Sequence, residues 1–406
     1  MTHILFIVAS VLLLATPSTA LTNGLGLVPS MGFNTWYDVF MNPTEASCLT
    51  LVDAIKSTGL YAAGYTYFNL DDGVFSTRDN ATGRLIANPT QFPNGVKSLA
   101  DKVHAQGMRF GIYTDRGPKT CGGRPGAQGY ETIDAQTFAD LGVDFLKEDS
   151  CGASQDHQTA FQDYARMRDA LNKTGRPIYF NLCGWNPWYA PVGSALANSW
   201  RTGGDDQSWP GILANVDNAA PIGQFAGPGG FNDLDYLLGH NAAGHIAQTD
   251  LQARAQFSLY AVITSPLIIS QDLTKISPYG LETYLNAEVI AVNQDPRGAG
   301  GTRLVGGNMA GCQNTTSSCV NIWGKPLADG SWVVTMVNAG SVVAVNVTCG
   351  TTDCLTVTGW DPSQKMMPRD LWLHANLPVV TAGQGVVAAS LPPLGGVEVF
   401  KLNPVW

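Results

Sequence analysis

Along the first half of the chain, apolar positions recur at helical spacing and then give way to short apolar runs that end in polar tips. Cys48, Leu51, Val52 and Ile55 stand at i, i+3, i+4 and i+7, the stripe of an amphipathic helix. Asn42 as N-cap, Pro43 at the first helical position and Glu45 at the third predict its start, and Gly59 its end. Tyr67 to Leu70 then reads as a strand tipped by Asp71 and Asp72. The alternation repeats. Val96, Leu99, Ala100 and Val103 mark a helix stopped by Gly107, and a strand from Arg109 to Tyr113 follows. A helix around Ala135 to Leu141 stops at Gly142 and feeds Phe145 to Lys147, tipped by Glu148 and Asp149. A fourth helix, with Phe161, Tyr164, Met167 and Leu171 inward, precedes Ile178 to Leu182 and Cys183.

A regular βα repeat builds a parallel sheet with its helices outside. The period suits either a doubly wound sheet or a closed (β/α)8 TIM barrel. Polar and aromatic residues gather at the C-terminal tip of nearly every strand, which favours the barrel, because active sites lie at that face. A barrel of about 250 residues ends near Asn293 to Pro296, so we assign residues 21–298 to it. Beyond that point Trp332 to Asn338, Val342 to Val347, Leu355 to Thr358, Val386 to Leu391 and Val397 to Leu402 are short β-rich runs between Gly, Pro, Asn and Asp. They predict a C-terminal antiparallel β-sandwich domain over residues 299–406.

The first residues stand apart. An apolar run from Ile4 to Ala15, then Thr16, Pro17 and the small triplet Ser18, Thr19, Ala20, predict a signal peptide over residues 1–20. The run is too short to span a bilayer comfortably, so the expected protein is secreted or lumenal, vacuolar and lysosomal delivery included. Asn80, Asn172, Asn314 and Asn346 head N-x-[ST] triplets and are candidate glycosylation sites there. Among eight cysteines, Cys312 with Cys319 and Cys349 with Cys354 are close pairs suited to short disulfide loops in an oxidising compartment. Zinc is the competing use, but no histidine stands beside them at ligand spacing, and His240 and His245 do not share a helix face. Only 23 Lys and Arg oppose 32 Asp and Glu, for a formal charge of −9, too few and too scattered to build a surface for nucleic acid or anionic membrane.

The chemistry falls to carboxylates. The chain has no G-x-S-x-G elbow, no phosphate-binding G-x-x-x-x-G-K-[ST] loop and no H-E-x-x-H, and Pro228 interrupts the glycine-rich stretch from Gly227 to Gly230. Hydrolysis by two acids needs one carboxylate ionised and the other protonated. Asp149 follows Lys147 by two residues, on the same side of its strand, where an ammonium lowers a carboxylate pKa. It is the natural nucleophile. Asp71, Asp72, Asp205, Asp206, Asp233 and Asp235 all remain candidates for the partner.

Several segments, in order, resemble glycoside hydrolase family 27, the α-galactosidase (melibiase) and α-N-acetylgalactosaminidase family. They are Met31-Gly32-Phe33-Asn34-Thr35-Trp36, Asp71-Asp72-Gly73, Gly111-Ile112-Tyr113-Thr114-Asp115, Thr120-Cys121-Gly122-Gly123, Leu146-Lys147-Glu148-Asp149-Ser150-Cys151, Trp200-Arg201-Thr202-Gly203-Gly204-Asp205 and Gly229-Gly230-Phe231-Asn232-Asp233. The resemblance covers the whole mature barrel. It implies a barrel with a C-terminal β-sandwich and retaining double displacement, with no metal or organic cofactor. Asp149 would be the nucleophile and Asp205 the general acid/base, with Asp206 as runner-up. Trp36 would be the sugar platform, Asp71 and Asp72 would hold the 4- and 6-hydroxyls, and Lys147 the ring hydroxyls. Tyr113 would stand near the nucleophile, Arg201 would point toward the 2-position, and Cys121 and Cys151 would form a disulfide beside the pocket. Asp233 and Asp235 would be structural, and Cys48 and Cys183 are read as buried thiols.

The chain departs from the family pattern at four places. A disulfide common in relatives is lost at Met41 and Gly73 together, and Val74 replaces a usual Trp. Glu148 replaces a usual aromatic and should point away from Lys147 and Asp149. Gly184 replaces a Glu that in animal-type α-galactosidases accepts from the sugar 2-hydroxyl. It either opens room for an N-acetyl group or leaves a gap for another side chain such as Trp188. The expected function is a secreted retaining exo-α-galactosidase acting on α-galactoside-containing oligosaccharides or glycoconjugates. The alternatives are α-N-acetylgalactosaminidase, β-L-arabinopyranosidase and, more remotely, a non-catalytic carbohydrate-binding protein.

Overall fold

The computed structural model describes residues 23–240, 248–314 and 319–405; the leader expected over residues 1–20 and His245 lie outside them. Eight parallel strands make the first sheet: β1 (Met31–Asn34), β2 (Tyr67–Asn69), β3 (Arg109–Asp115), β4 (Phe145–Asp149), β5 (Tyr179–Leu182), β6 (Ser199–Arg201), β7 (Phe231–Asp233) and β8 (Leu267–Ile269). They pair in chain order, and β8 pairs back onto β1. Between β7 and β8 the ring is closed by Leu237, whose N–H reaches the Ile268 carbonyl at 2.8 Å and whose carbonyl accepts from Ser270 at 2.9 Å. The sheet is thus a closed barrel and not the doubly wound alternative.

Helices α1 (Glu45–Ser57), α2 (Gly95–Ala105), α3 (Glu131–Leu141), α4 (His157–Lys173), α5 (Ala190–Leu196), α6 (Trp209–Ala219) and α7 (Asp250–Ile263) link the strands. Cys48, Leu51, Val52 and Ile55 are buried as the stripe of α1 requires. The start of α1 differs from the sequence expectation. Thr44, not Asn42, is the N-cap, because its hydroxyl accepts from Ser47 N–H while Ser47 Oγ accepts from Thr44 N–H, a reciprocal box that Asn42 is too early to make.

The second sheet is antiparallel, in the spatial order Thr302–Val305, Val320–Pro326, Trp332–Asn338, Gly396–Pro404, Lys365–Asp370, Ala375–Asn376. A two-stranded sheet of Val345–Cys349 and Val386–Leu391 covers one of its faces, burying Ile322, Val334, Met336, Phe400 and Leu402 between the layers. The alternate residues Trp323, Val333, Val337, Val397 and Val399 join the barrel core instead. Both faces of the large sheet are therefore covered, one by its sandwich partner and one by the barrel. The expected strand from Leu355 to Thr358 is a 3₁₀ helix, Cys354–Thr358. The short Cys349–Cys354 disulfide loop and the Asp353 carboxylate, which accepts from Gly350 N–H at 2.9 Å, turn the chain there before it can extend.

Candidate active site

The registers of the barrel bring the polar tips together. Lys147 lies opposite Tyr113, and Asp149 opposite Asp115. Trp36, Asp71, Asp72, Tyr113, Lys147, Asp149, Arg201 and Asp205 line one cavity of about 350 Å³ at the C-terminal mouth. Tyr37, Cys121, Asp235 and Tyr236 complete its wall. Eight of the nine positions expected to meet the substrate or react are thus together, and Gly184 is the exception.

The floor is a closed hydrogen-bonded set. Lys147 Nζ donates to Asp71 Oδ2 and to the Tyr236 hydroxyl, each at 2.9 Å, and that hydroxyl donates to Asp71 Oδ2 at 2.9 Å. Asn34 adds a further bond to the same oxygen at 2.9 Å, and Asp72 N–H reaches Oδ1 at 2.9 Å. Burial opposes ionisation of Asp71, but the Lys147 charge and these donors prevail and hold its carboxyl below the usual range. Asp72 accepts from Gly73 and Gly122 N–H, and burial leaves its pKa raised.

Asp149 is held by Tyr113, whose hydroxyl donates to Oδ2 at 2.9 Å, and by Ser150 N–H, which reaches Oδ1 at 2.9 Å. The lowered Asp149 pKa that the Lys147 spacing predicts is not found. Lys147 spends its bonds on Asp71 and Tyr236, and burial outweighs its attraction, so the Asp149 pKa is raised and not lowered. Asp205 stands at the rim with 44% of its side chain exposed, 3.3 Å from Arg201. Asp206, the runner-up, is fully buried and committed to Tyr260, Gln256 and Asn215, away from the cavity. Arg201 pairs with Asp235 at 2.8 Å, and Asp233 anchors Asn181 and the Asp235 N–H.

Gly184 does not open space. A Cβ placed there would lie 2.0 Å from Cε2 of Tyr189, so that ring, and not Trp188, fills the gap. Tyr189 is fully buried against Trp188, Tyr164 and Phe161. Gly73, with φ +106°, backs so closely onto Met41 that a Cβ would stand 2.5 Å from the Met41 carbonyl oxygen, and the two positions of the lost disulfide remain neighbours. Glu148 faces away from Lys147 and Asp149, wholly buried and with neither carboxyl oxygen bonded among the described residues; burial drives its pKa well up.

The disulfides are Cys121–Cys151, Cys312–Cys319 and Cys349–Cys354, with Cys48 and Cys183 as buried thiols. Asp115, Cys121, Asp149 and Cys151 offer ligand atoms within 4.8 Å of one another, but the two sulfurs are bonded together, which leaves only two carboxylates for a cation. Asn80, Asn172 and Asn346 are exposed. The residues that sequence reasoning missed are Tyr236, Tyr37 and Asn34. Asn34 ends β1, which no preceding helix stripe marks, and Tyr236 follows a residue of positive φ, Asp235 at +86°, that no motif announces.

Comparison with known proteins agrees with this geometry. A family model described as Alpha galactosidase A matches residues 39–295, and one for the Alpha galactosidase C-terminal beta sandwich domain matches residues 317–402. A probable alpha-galactosidase of Dictyostelium discoideum is 39% identical over 390 residues, 95% of either chain. The solved alpha-galactosidase of Saccharomyces cerevisiae superposes with a TM-score of 0.84 at 30% identity, covering 94% of this chain and 99% of that one. Alpha-galactosidase I of Mortierella vinacea gives 0.83 at 32% identity, covering 94% and 98%. The protein therefore belongs to the α-galactosidase (melibiase) family of glycoside hydrolases, family 27.

Proposed function

We propose that this glycoside hydrolase is a secreted, retaining exo-α-galactosidase that removes terminal α-D-galactosyl residues from oligosaccharides or glycoconjugates. The observation that carries the reading is the placement of two unlike carboxyls on one blind cavity: Asp149 buried and clamped by two donors, Asp205 half exposed at the mouth. A solved alpha-galactosidase of Saccharomyces cerevisiae with raffinose, 30% identical with a TM-score of 0.83, supports an α-galactosyl oligosaccharide as substrate class.

In this reading one galactosyl ring lies against Trp36, with its 4- and 6-hydroxyls on Asp71 and Asp72 and its ring hydroxyls near Lys147. Asp149 attacks the anomeric carbon as the bond to the leaving oxygen breaks, and Asp205 donates its proton to that oxygen. Tyr113 and Ser150 N–H fix the attacking carboxylate, and burial keeps it poorly solvated and reactive. Asp205 then takes a proton from water, whose oxygen attacks the same carbon and releases Asp149. Two inversions give net retention. The exposed position of Asp205 suits it to this exchange with solvent.

Tyr189 occupying the space beside Gly184 favours a 2-hydroxyl over a bulky N-acetyl group. The presence of both Asp71 and Asp72 favours a sugar with a 6-hydroxyl over arabinopyranose. Three disulfides and exposed acceptors at Asn80, Asn172 and Asn346 support secretion. In the mature chain, residues 21–298 would form the catalytic unit and residues 299–406 the sandwich. The test is kcat/KM of the purified protein on aryl α-D-galactoside, α-D-N-acetylgalactosaminide and β-L-arabinopyranoside. The galactoside is expected to lead; preference for either other sugar, or no release from any, overturns the reading.

A further inference from the structure

We propose that Tyr236 is a specificity-determining positioning residue, which sets how many hydrogen-bonding valences Asp71 and Lys147 leave open to the sugar. The inference rests on the reading of Asp71 and Lys147 as sugar contacts.

The observation is the triangle of Lys147 Nζ, Asp71 Oδ2 and the Tyr236 hydroxyl, all 2.9 Å apart. An ammonium has three N–H groups, and two are spent here, one on Asp71 and one on Tyr236. Asp71 Oδ2 accepts from Lys147, Tyr236 and Asn34, which saturates it, whereas among the described residues Oδ1 accepts only from Asp72 N–H. One N–H on Lys147 and one lone pair on Asp71 Oδ1 are left. A single hydroxyl that accepts from the first and donates to the second uses both. Any sugar lacking it strands a buried ammonium hydrogen and a buried carboxylate lone pair, and stranded charged groups are what make a polar site discriminating.

Tyr236 can impose this count because it is itself immobile. It is buried on the cavity wall, its ring meets Tyr37 edge-on at 6.2 Å, and Lys147 Nζ lies 5.0 Å from its centroid. The residue before it, Asp235, has φ +86° and pairs with Arg201 at 2.8 Å, which fixes the turn that aims the phenol at the floor. Without the hydroxyl, Lys147 regains an N–H, while Lys147 and Asn34 still fill the two lone pairs of Asp71 Oδ2. Water entering beside the phenyl ring can then bridge the freed ammonium hydrogens to Asp71 Oδ1 whether or not the sugar hydroxyl is present, and the strict demand for that hydroxyl relaxes.

The experiment compares Tyr236→Phe with the wild type on aryl α-D-galactoside and its 4-deoxy and 6-deoxy analogues. The readout is the ratio of kcat/KM for galactoside over each analogue, measured on the same preparation so that the folded fraction cancels. The wild type is expected to favour the galactoside by about 100-fold or more over at least one analogue. In Tyr236→Phe that ratio should fall by about tenfold or more, the penalty of one stranded charged hydrogen-bonding group, because water then relieves the groups that the deoxy analogue leaves unpaired and the analogue gains relative to the galactoside. Tyr236→Leu, which relieves the packing on Tyr37, should show the same collapse if the Phe variant does not fold. An unchanged ratio with equal losses on all three substrates would show that Tyr236 only supports the wall, and would overturn the inference while leaving the galactoside reading intact. A wild type indifferent to both deoxygenations would sink that reading and the inference with it.

Discussion

At the floor of the cavity Asp71, Lys147 and Tyr236 hold one another at 2.9 Å and are buried, whereas at the rim Asp205 keeps 44% of its side chain exposed and meets Arg201 at 3.3 Å. The floor resembles a crystal of hydrogen bonds with few valences left over, and the rim is a single acid in contact with water. Recognition needs the first arrangement, since discrimination comes from buried groups that only one ligand satisfies. Proton transfer to a departing group and from an arriving water needs the second. Asp149 shares the burial of the floor and, in the proposed mechanism, does the bond-making work; its raised pKa follows from that position.

The largest effect that would sharpen this contrast is loss of the nucleophile. Asp149→Asn should lower kcat by at least about 10³-fold with the fold intact, on every substrate; a carbohydrate-binding protein would have no turnover to lose. Asp205→Asn should cost about 10²–10⁴-fold on galactosides with poor leaving groups, and far less on an activated aryl galactoside, whose departing oxygen needs no proton. Uniform losses across leaving groups would break the division between floor and rim. Gly184→Ala comes next. The added methyl drives into the Tyr189 ring, so thermal unfolding should show a loss of about 1–3 kcal/mol; an unchanged Tm would mean that the ring yields freely.

Smaller effects concern the buried acids. Burial raises Asp115 to about 8, Asp235 and Glu398 to about 7 and Asp38 to about 6. For groups raised in the folded state, the fold binds the proton more tightly than the unfolded chain does. Their stability is complete below the unfolded pKa and is lost as pH rises through the folded one. Tm should therefore fall from pH 5 to pH 7. Lys325, lowered by burial to about 7, acts in the opposite direction only above that pH, so the fall should flatten there. Smallest is Glu148→Gln, which should leave Tm near its wild-type value at pH 5 and raise it at pH 8, because burial holds the Glu148 carboxyl protonated at the lower pH and penalises its charge at the higher. A Tm that rises steadily from pH 5 to pH 8 would contradict this account of the buried acids.

Much of the barrel is legible in the sequence because its first four βα units carry long apolar stripes with glycine stops, as in α1 and α2. The later strands β6, β7 and β8 are three residues each, as is β2, but β2 follows a striped helix closed by Gly59, whereas α7, which leads into β8, is buried almost all round from Ala255 to Ile263 and shows no stripe. The site was legible at the ends of the strands that the sequence predicts, at Asp71, Tyr113, Lys147 and Asp149, and not at Asn34, whose strand β1 no preceding helix stripe marks. It was not legible where the deciding contact crosses the barrel. Lys147 stands two residues from Asp149, yet its bonds go to Asp71 just past β2 and to Tyr236 beyond β7. Gly184 looked like a vacancy because its occupant, Tyr189, arrives through the backbone turn that follows β5. Composition and spacing describe what each strand offers, and the choice of partners is made by closure of the ring.

The measurement that tests the central claim most directly is proton NMR of the sugar first released from an aryl α-D-galactoside, recorded before mutarotation mixes the anomers. Double displacement through Asp149 and Asp205 predicts α-galactose as the initial product. Initial release of the β-anomer would mean a single displacement by water, and would contradict the role assigned to Asp149.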